Sequence, residues 1–420
     1  MRGMLVVKGR VFYRGRLEDL CLGIEEGRII AVKKVLRGDD LRDYGDALVL
    51  PGAVDLHVHL REPGLTHKDD FPNGTRSAAL GGTTTVVDMP NTVPPVTTRE
   101  ALEAKIDRVR GRAHVDFGLY AAPTSAAAVA RLAGASAFKV YMAETTGGLQ
   151  LADDVLGEVL QATADPGPIV AVHAEDPAGF GKGIARDLRG HHAARPAEAE
   201  VAALRRLATL RGPGKLHIAH VTTKAALDAV PTGATTEATP HHLFLDFERP
   251  LGAFGKVNPP LRPRGDREAL WDAFLEGRID ALASDHAPHT REEKEDGAFH
   301  EAPSGVPGVG TGLPLLLRRV KAGELPLALA VRTISTRPAE ILGLSKGDIR
   351  IGWDGDLVVV DPRRYRKLTA ESLRYKCGWT PFEGMEGCFP EAVFVRGEAV
   401  VEDGEPAAEG VGRMITAAKS

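Results

Sequence analysis

VDLHVHL at residues 54–60 and TTTVVDM at residues 83–89 are two of eight short β-branched or apolar runs spaced along the chain. The others fall at residues 114–121, 138–143, 169–175, 216–221, 234–239 and 281–286. Amphipathic or Ala-rich stretches alternate with them, among them TREALEAKIDRVRG from Thr98, PAEAEVAALRRLATLRG from Pro196 and DREALWDAFLEGR from Asp266. Each opens on a Thr, Pro or Asp of the kind that starts a helix. Eight βα units in about 270 residues match the length and period of a (β/α)8 TIM barrel. A doubly wound open sheet fits less well, because no G-x-G-x-x-G follows the first strand and the reactive residues are spread over many strands.

Outside the barrel, LVVKG, VFYRG and LGIEEGRIIAV near the start read as strands joined by Gly turns, as do DIRIGWDGDLVVVD and AVFVRGEAVVEDG near the end. Neither end has enough strands for an independent sheet. The expectation is one small β-sandwich built from both termini, with residues 1–50 and 346–420 flanking a catalytic barrel at 51–345, and with residues 327–344 as a helical connection.

At 43% apolar and 26% charged residues the 420-residue chain has a globular composition, and a formal charge of −4 leaves no basic footprint for nucleic acid. No apolar run approaches the ~20 residues that span a bilayer, and the first sixteen residues are too charged for a signal-peptide core, so a soluble cytoplasmic protein is expected. Cys21, Cys377 and Cys388 show no metal spacing and read as buried thiols. The chain has only three Asn and two Gln, while Arg outnumbers Lys 37 to 16, which fits a thermophile or GC-rich coding. Where an Asn persists, it merits a reason.

His57 and His59 end the first barrel run, and the strand period of two places both imidazoles on one side. Lys139, His173, His220 and Asp285 stand near the ends of runs four, five, six and eight, the barrel edge where active sites of this architecture assemble. Four His and one Asp suit zinc or another borderline divalent ion and exceed one tetrahedral site, so two metals are implied. Two cations need a bridging anion. Lys139, in the apolar run AFKVYM, supplies it if a lowered pKa lets its amine take up CO2 as a carbamate.

HVHLREPG (residues 57–64), MPNT (89–92), FKVYMAETTGGLQL, VHAE, HVTTK, ATPHHLFL, VNPPLR and ASDHAPHT, in that order, resemble the dihydroorotases of the amidohydrolase superfamily. The resemblance implies reversible cyclisation of N-carbamoyl-L-aspartate to L-dihydroorotate plus water, in de novo pyrimidine (UMP) biosynthesis. By the same resemblance His57 and His59 hold the first of two Zn2+ ions, a carbamate on Lys139 bridges, and His173 and His220 hold the second. Asp285 is then metal ligand and general acid/base. Glu237 matches a position where some relatives hold a third zinc, although the cysteine that assists there is Ala219. A homodimer and association with aspartate transcarbamoylase are further implications.

The substrates are small anions, so a chain of this charge needs a local clamp. Arg61 offers a planar fork for a carboxylate, and Asn91, Asn258 and His289 fall in the motifs where related enzymes hold the substrate. Residues 66–74, THKDDFPNG, resemble the ends of loops that cover such sites. His242 and His286 are candidate orienting donors, and VPGVGTG (306–312) reads as backbone approaching the substrate. The rivals are a dihydropyrimidinase, hydantoinase or allantoinase, whose substrates lack the ring carboxylate, and a non-catalytic partner of aspartate transcarbamoylase.

Overall fold

The computed structural model describes residues 3–144, 148–164, 167–210 and 212–415. All eight expected barrel strands form, as Ala53–Val58, Thr83–Asp88, Asp116–Ala121, Ala137–Tyr141, Val170–His173, Leu216–Ile218, Thr235–Ala238 and Ala281–Leu282. Each pairs in parallel with the next. A parallel bridge between Val58 and His286 closes the ring, with the His59 N–H donating to the His286 carbonyl at 2.7 Å.

The strands are shorter than their apolar runs at the carboxyl end. His220 lies two residues beyond its strand and Asp285 three beyond its own, at φ 40° and 45°. A non-glycine residue at positive φ carries strain, and here it turns side chains out of the ladder towards the mouth of the barrel.

The helices start where the sequence places caps, with small shifts. Thr98 caps Arg99–Val109 by accepting from the Ala101 N–H. Arg264–Leu275 opens two residues before Asp266, after Pro263. Half of the 66–74 segment is the first turn of a helix, Phe71–Leu80, capped by Asp70 and preset by a proline in its first turn. The connection expected at 327–344 is helical, running through Leu327–Val331 and Arg337–Leu342 to a left-handed stop at Gly343.

The termini do combine. Four N-terminal strands and Leu357–Val360, Ala392–Val395, Glu398–Glu402 and Glu405–Pro406 form one eight-stranded sheet, joined where Leu357–Val360 runs antiparallel to the end of Asp40–Pro51. It buries its own apolar core around Val11, Leu22, Val49, Leu357 and Phe394. Asp40–Pro51 passes into the first barrel strand through Gly52 alone, where a Cβ would stand 2.2 Å from the Thr84 hydroxyl oxygen. A buried ion cluster ties the sheet to the barrel: Lys346 Nζ lies 2.7 Å from Asp116, 3.0 Å from Asp354 and 2.6 Å from Asp356, and Arg396 also pairs with Asp116. Beyond it, residues 413–415 run alongside Phe117 in the third barrel strand, exchanging two backbone hydrogen bonds with it. The three cysteines are free and buried, and among the described residues no helix is long and apolar enough to cross a membrane.

Candidate active site

A cavity of about 320 Å³ opens at the carboxyl mouth of the barrel, and His57, His59, Lys139, His173, His220 and Asp285 all line it. A wider groove of about 720 Å³ lies on the terminal sheet, but acidic and apolar side chains with Arg42 and Arg396, and no histidine, line it. The convergence of chemistry decides for the smaller cavity.

Three of the four histidines are aimed by what holds their far nitrogen, while His220 Nδ1 is buried with no partner among the described residues. His57 Nδ1 lies 2.5 Å from Glu237 Oε1, His59 Nδ1 lies 2.6 Å from Asn91 Oδ1, and His173 Nε2 lies 2.7 Å from Glu175 Oε2. An oxygen acceptor keeps the proton on the nitrogen it touches, so the other nitrogen presents its lone pair inward. Those inward atoms meet: His57 Nε2 and His59 Nε2 stand 3.3 and 3.1 Å from Asp285 Oδ1, and His173 Nδ1 stands 3.0 Å from His220 Nε2. Burial lowers the pKa of His59 to about 4 and also lowers those of His173 and His220. Neutral imidazoles are the form a cation binds. Burial alone would raise Asp285, but His57, His59 and His220 outweigh it and hold the carboxyl well below its usual range.

Lys139 is buried and its Nζ has no hydrogen-bond partner among the described residues. Burial is the main influence on it, opposed by Glu237 and Asp285, and leaves its pKa at about 8. An unpaired amine in that range carries a substantial neutral fraction near pH 8, the nucleophilic form.

The structure thus brings all six expected ligands to one cavity, with the donor atoms of His57, His59 and Asp285 within 4.8 Å of one another and His173 paired with His220. Both oxygens of Glu237 are engaged, Oε1 by His57 and the His220 N–H and Oε2 by His217 at 3.1 Å. Its role here is to orient His57. Glu175, which the sequence did not single out, does the same for His173 and is itself held by Arg195 at 2.5 Å. Burial works against its charge, yet His173 and Arg195 lower its pKa to about 2.

Arg61 is 3% exposed at φ 62°, lines the cavity, and donates from Nε to the Pro288 carbonyl at 3.1 Å. Among the described residues no carboxylate lies within ion-pair distance of its guanidinium. Asn91 and Asn258 line the same cavity, Asn258 accepting from His191 Nε2 at 3.0 Å. His289 stands behind this wall. Its Nε2 is 3.3 Å from Arg61 and 3.2 Å from the Ser304 carbonyl, and its Nδ1 is 3.1 Å from Lys68 Nζ.

Several lining residues escaped the sequence reading. Tyr141 follows Lys139 by two, so the strand period carried that signal, and its buried hydroxyl has no partner among the described residues. Pro303, Ser304 and Gly305 form wall in place of the Gly-rich 306–312 segment, whose Gly308 and Val309 N–H groups instead donate to His286 Nδ1. His286 also meets Asp69 at 2.8 Å, and His242 links Thr239 to the Pro259 carbonyl, so both brace the rim. Residues 145–147 of the FKVYMAETTGGLQL motif lie outside the described residues.

Comparison with known proteins bears on this site. The amidohydrolase family matches residues 48–400. A dihydroorotase of Halobacterium salinarum is 42% identical over 98% of this chain and 100% of its own length, and one of Methanosarcina acetivorans is 38% identical over 97% and 94%. Among solved structures, the L-hydantoinase (dihydropyrimidinase) of Arthrobacter aurescens superposes with a TM-score of 0.90 at 29% identity, over 98% of this chain and 99% of that one.

Proposed function

This chain belongs to the amidohydrolase family, and from that premise we propose that it is a dihydroorotase, interconverting N-carbamoyl-L-aspartate and L-dihydroorotate. The observation that carries the reading is Arg61, a buried guanidinium on the cavity wall beside the histidines with no carboxylate within ion-pair distance among the described residues. An unpaired buried charge is costly, and a substrate carboxylate satisfies it bidentately. The relatives named dihydroorotase, similar along the whole chain, support the same choice.

The donor set fits two divalent cations, for which zinc is our assignment: His57, His59 and Asp285 at one, His173 and His220 at the other, and Lys139 as a carbamate between them. The fit rests on the His57, His59 and Asp285 donor atoms lying within 4.8 Å of one another, on His173 Nδ1 facing His220 Nε2 at 3.0 Å, and on a Lys139 Nζ unpartnered among the described residues. Such ions, when bound, lower the pKa of water and polarise a carbonyl oxygen. The chain supplies the rest. Arg61, with Asn91 and Asn258, holds the carboxylate of the substrate and so fixes the ring amide against the histidine cluster. Asp285 takes the proton released as water adds to that amide carbon and returns it to the departing nitrogen; ring closure runs the same transfers backwards. Asp285 must start ionised in one direction and protonated in the other. The rate of hydrolysis therefore falls as pH drops through its pKa and the rate of cyclisation falls as pH rises; profiles that bend the same way overturn this role.

The direct test is steady-state turnover of zinc-loaded protein on L-dihydroorotate, with dihydrouracil as the neutral control. Arg61→Ala is expected to lower kcat/KM for dihydroorotate by about a hundredfold or more. The likeness in fold to hydantoinases supports a second reading, a neutral cyclic amide as substrate; turnover of dihydrouracil alone decides for it. A homodimer, association with aspartate transcarbamoylase, a cytoplasmic setting and the division at residues 50 and 345 belong to the same proposal, and light scattering with and without the transcarbamoylase tests the assembly.

A further inference from the structure

The cavity wall formed by Pro303, Ser304 and Gly305 belongs to a stretch without strand or helix, and two buried lysines hold it. Lys256, 6% exposed, donates from Nζ to the carbonyls of Phe299 at 3.1 Å, His300 at 2.9 Å and Ala302 at 2.5 Å. Lys294, 3% exposed, donates to the carbonyls of Pro303 at 2.7 Å and Lys256 at 3.3 Å. The Gly305 N–H closes the group on the Lys256 carbonyl at 2.9 Å. Neither ammonium has a carboxylate within ion-pair distance among the described residues.

Carbonyl dipoles satisfy the donors of an ammonium but do not cancel its charge. Neutral donors would pin a loop at lower cost. Nearby, Arg61 is likewise unpaired, and only Lys68 has an acidic partner, Glu293 at 2.7 Å. Asp285, Asp88 and Asp69 act on Arg61 only from beyond ion-pair distance, and Lys294 carries the strain: burial first, then Lys256, Arg61 and Lys68, lower its pKa to about 7. Such an excess of buried positive charge is relieved by an anion in the cavity.

We infer that Lys256 and Lys294 are specificity-determining positioning residues, which fix the 303–305 wall and, through their uncompensated charge, favour a carboxylate-bearing ring over a neutral one. This rests on the dihydroorotase reading and deepens it.

The test uses the zinc-loaded full-length enzyme and the variants Lys294→Met and Lys256→Met, which keep volume and remove charge; two variants keep the comparison standing if one does not fold. KM for L-dihydroorotate and the inhibition constant of orotate, which bears the carboxylate, are expected to rise about tenfold, with kcat within about twofold. Lys294→Arg restores both. Unchanged orotate inhibition in the variants, beside a wild type that binds orotate, overturns this inference alone. A drop in kcat with KM unmoved, and no rescue by arginine, also overturns it, since that marks a merely structural loop. A wild type that neither turns over dihydroorotate nor binds orotate removes the dihydroorotase reading and this inference with it.

Discussion

Lys139 and Lys346 are both buried, and their surroundings could hardly differ more. Lys346 sits among Asp116, Asp354 and Asp356 at the joint between barrel and terminal sheet; burial presses on it, but the three carboxylates outweigh that and raise its pKa above the ordinary lysine value. Lys139 sits at the barrel mouth with no partner for its Nζ among the described residues, and there burial wins. Depth is the same in both, so depth says nothing about role. What separates a structural lysine from a reactive one is whether the fold supplies compensating charge.

The contrast breaks first if Lys139→Met keeps its activity. Turnover of dihydroorotate is expected to fall by about a thousandfold or more, while the melting temperature of the metal-free protein holds or rises because an unpaired charge is gone. Lys346→Met inverts the pattern. It leaves three acids facing one another, and urea unfolding should show a loss of about 3–5 kcal/mol, with turnover per folded molecule unchanged.

The two lysines also bend stability with pH in opposite senses. Lys139 has a folded pKa of about 8 against 10.5 unfolded, so between those values the unfolded chain binds more protons and its contribution to stability rises with pH. Comparing metal-free wild type with Lys139→Met should show a gain of about 3 kcal/mol across pH 8 to 10.5. Lys346, raised above 10.5, contributes fully below that pH and loses its contribution above it. Equal slopes in the two variants would erase the distinction. The smallest effect concerns aim: Glu175→Gln, weakening the hold on His173 Nε2, should reduce metal affinity about 10–100-fold in a chelator competition.

The barrel was legible because its strands are apolar runs of strand length; the His57–His59 pair is a weak signal alone, and the cavity was legible because Lys139, His173, His220 and Asp285 stand near the ends of other runs. Glu237 and Glu175 were not legible as orienting groups, since a carboxylate shows its job only by which imidazole the fold brings to it. Strand Asp40–Pro51 was missed because DLRDYGD reads as a charged loop, and only its last residues carry an apolar signal. Helix Phe71–Leu80 was hidden by PNG, a turn-like triplet, although Asp70 ahead of Pro72 was the available clue. Lys256 and Lys294 could not be told from surface lysines, because the carbonyls that bury them come from residues 299–303, a segment without periodicity.

The pairing of Leu48–Pro51 with Leu357–Val360 sets a timetable for the chain during its synthesis. At ~5–20 residues per second, the roughly 300 residues between these partners take about 15–60 s to emerge from the ribosome. Throughout that interval the carboxyl end of Asp40–Pro51 has an open edge, the kind that recruits other chains. The hazard is confined to four residues, because the exposed first half of the strand carries Asp40, Arg42, Asp43 and Asp46, charges that make poor company for a neighbouring nascent chain.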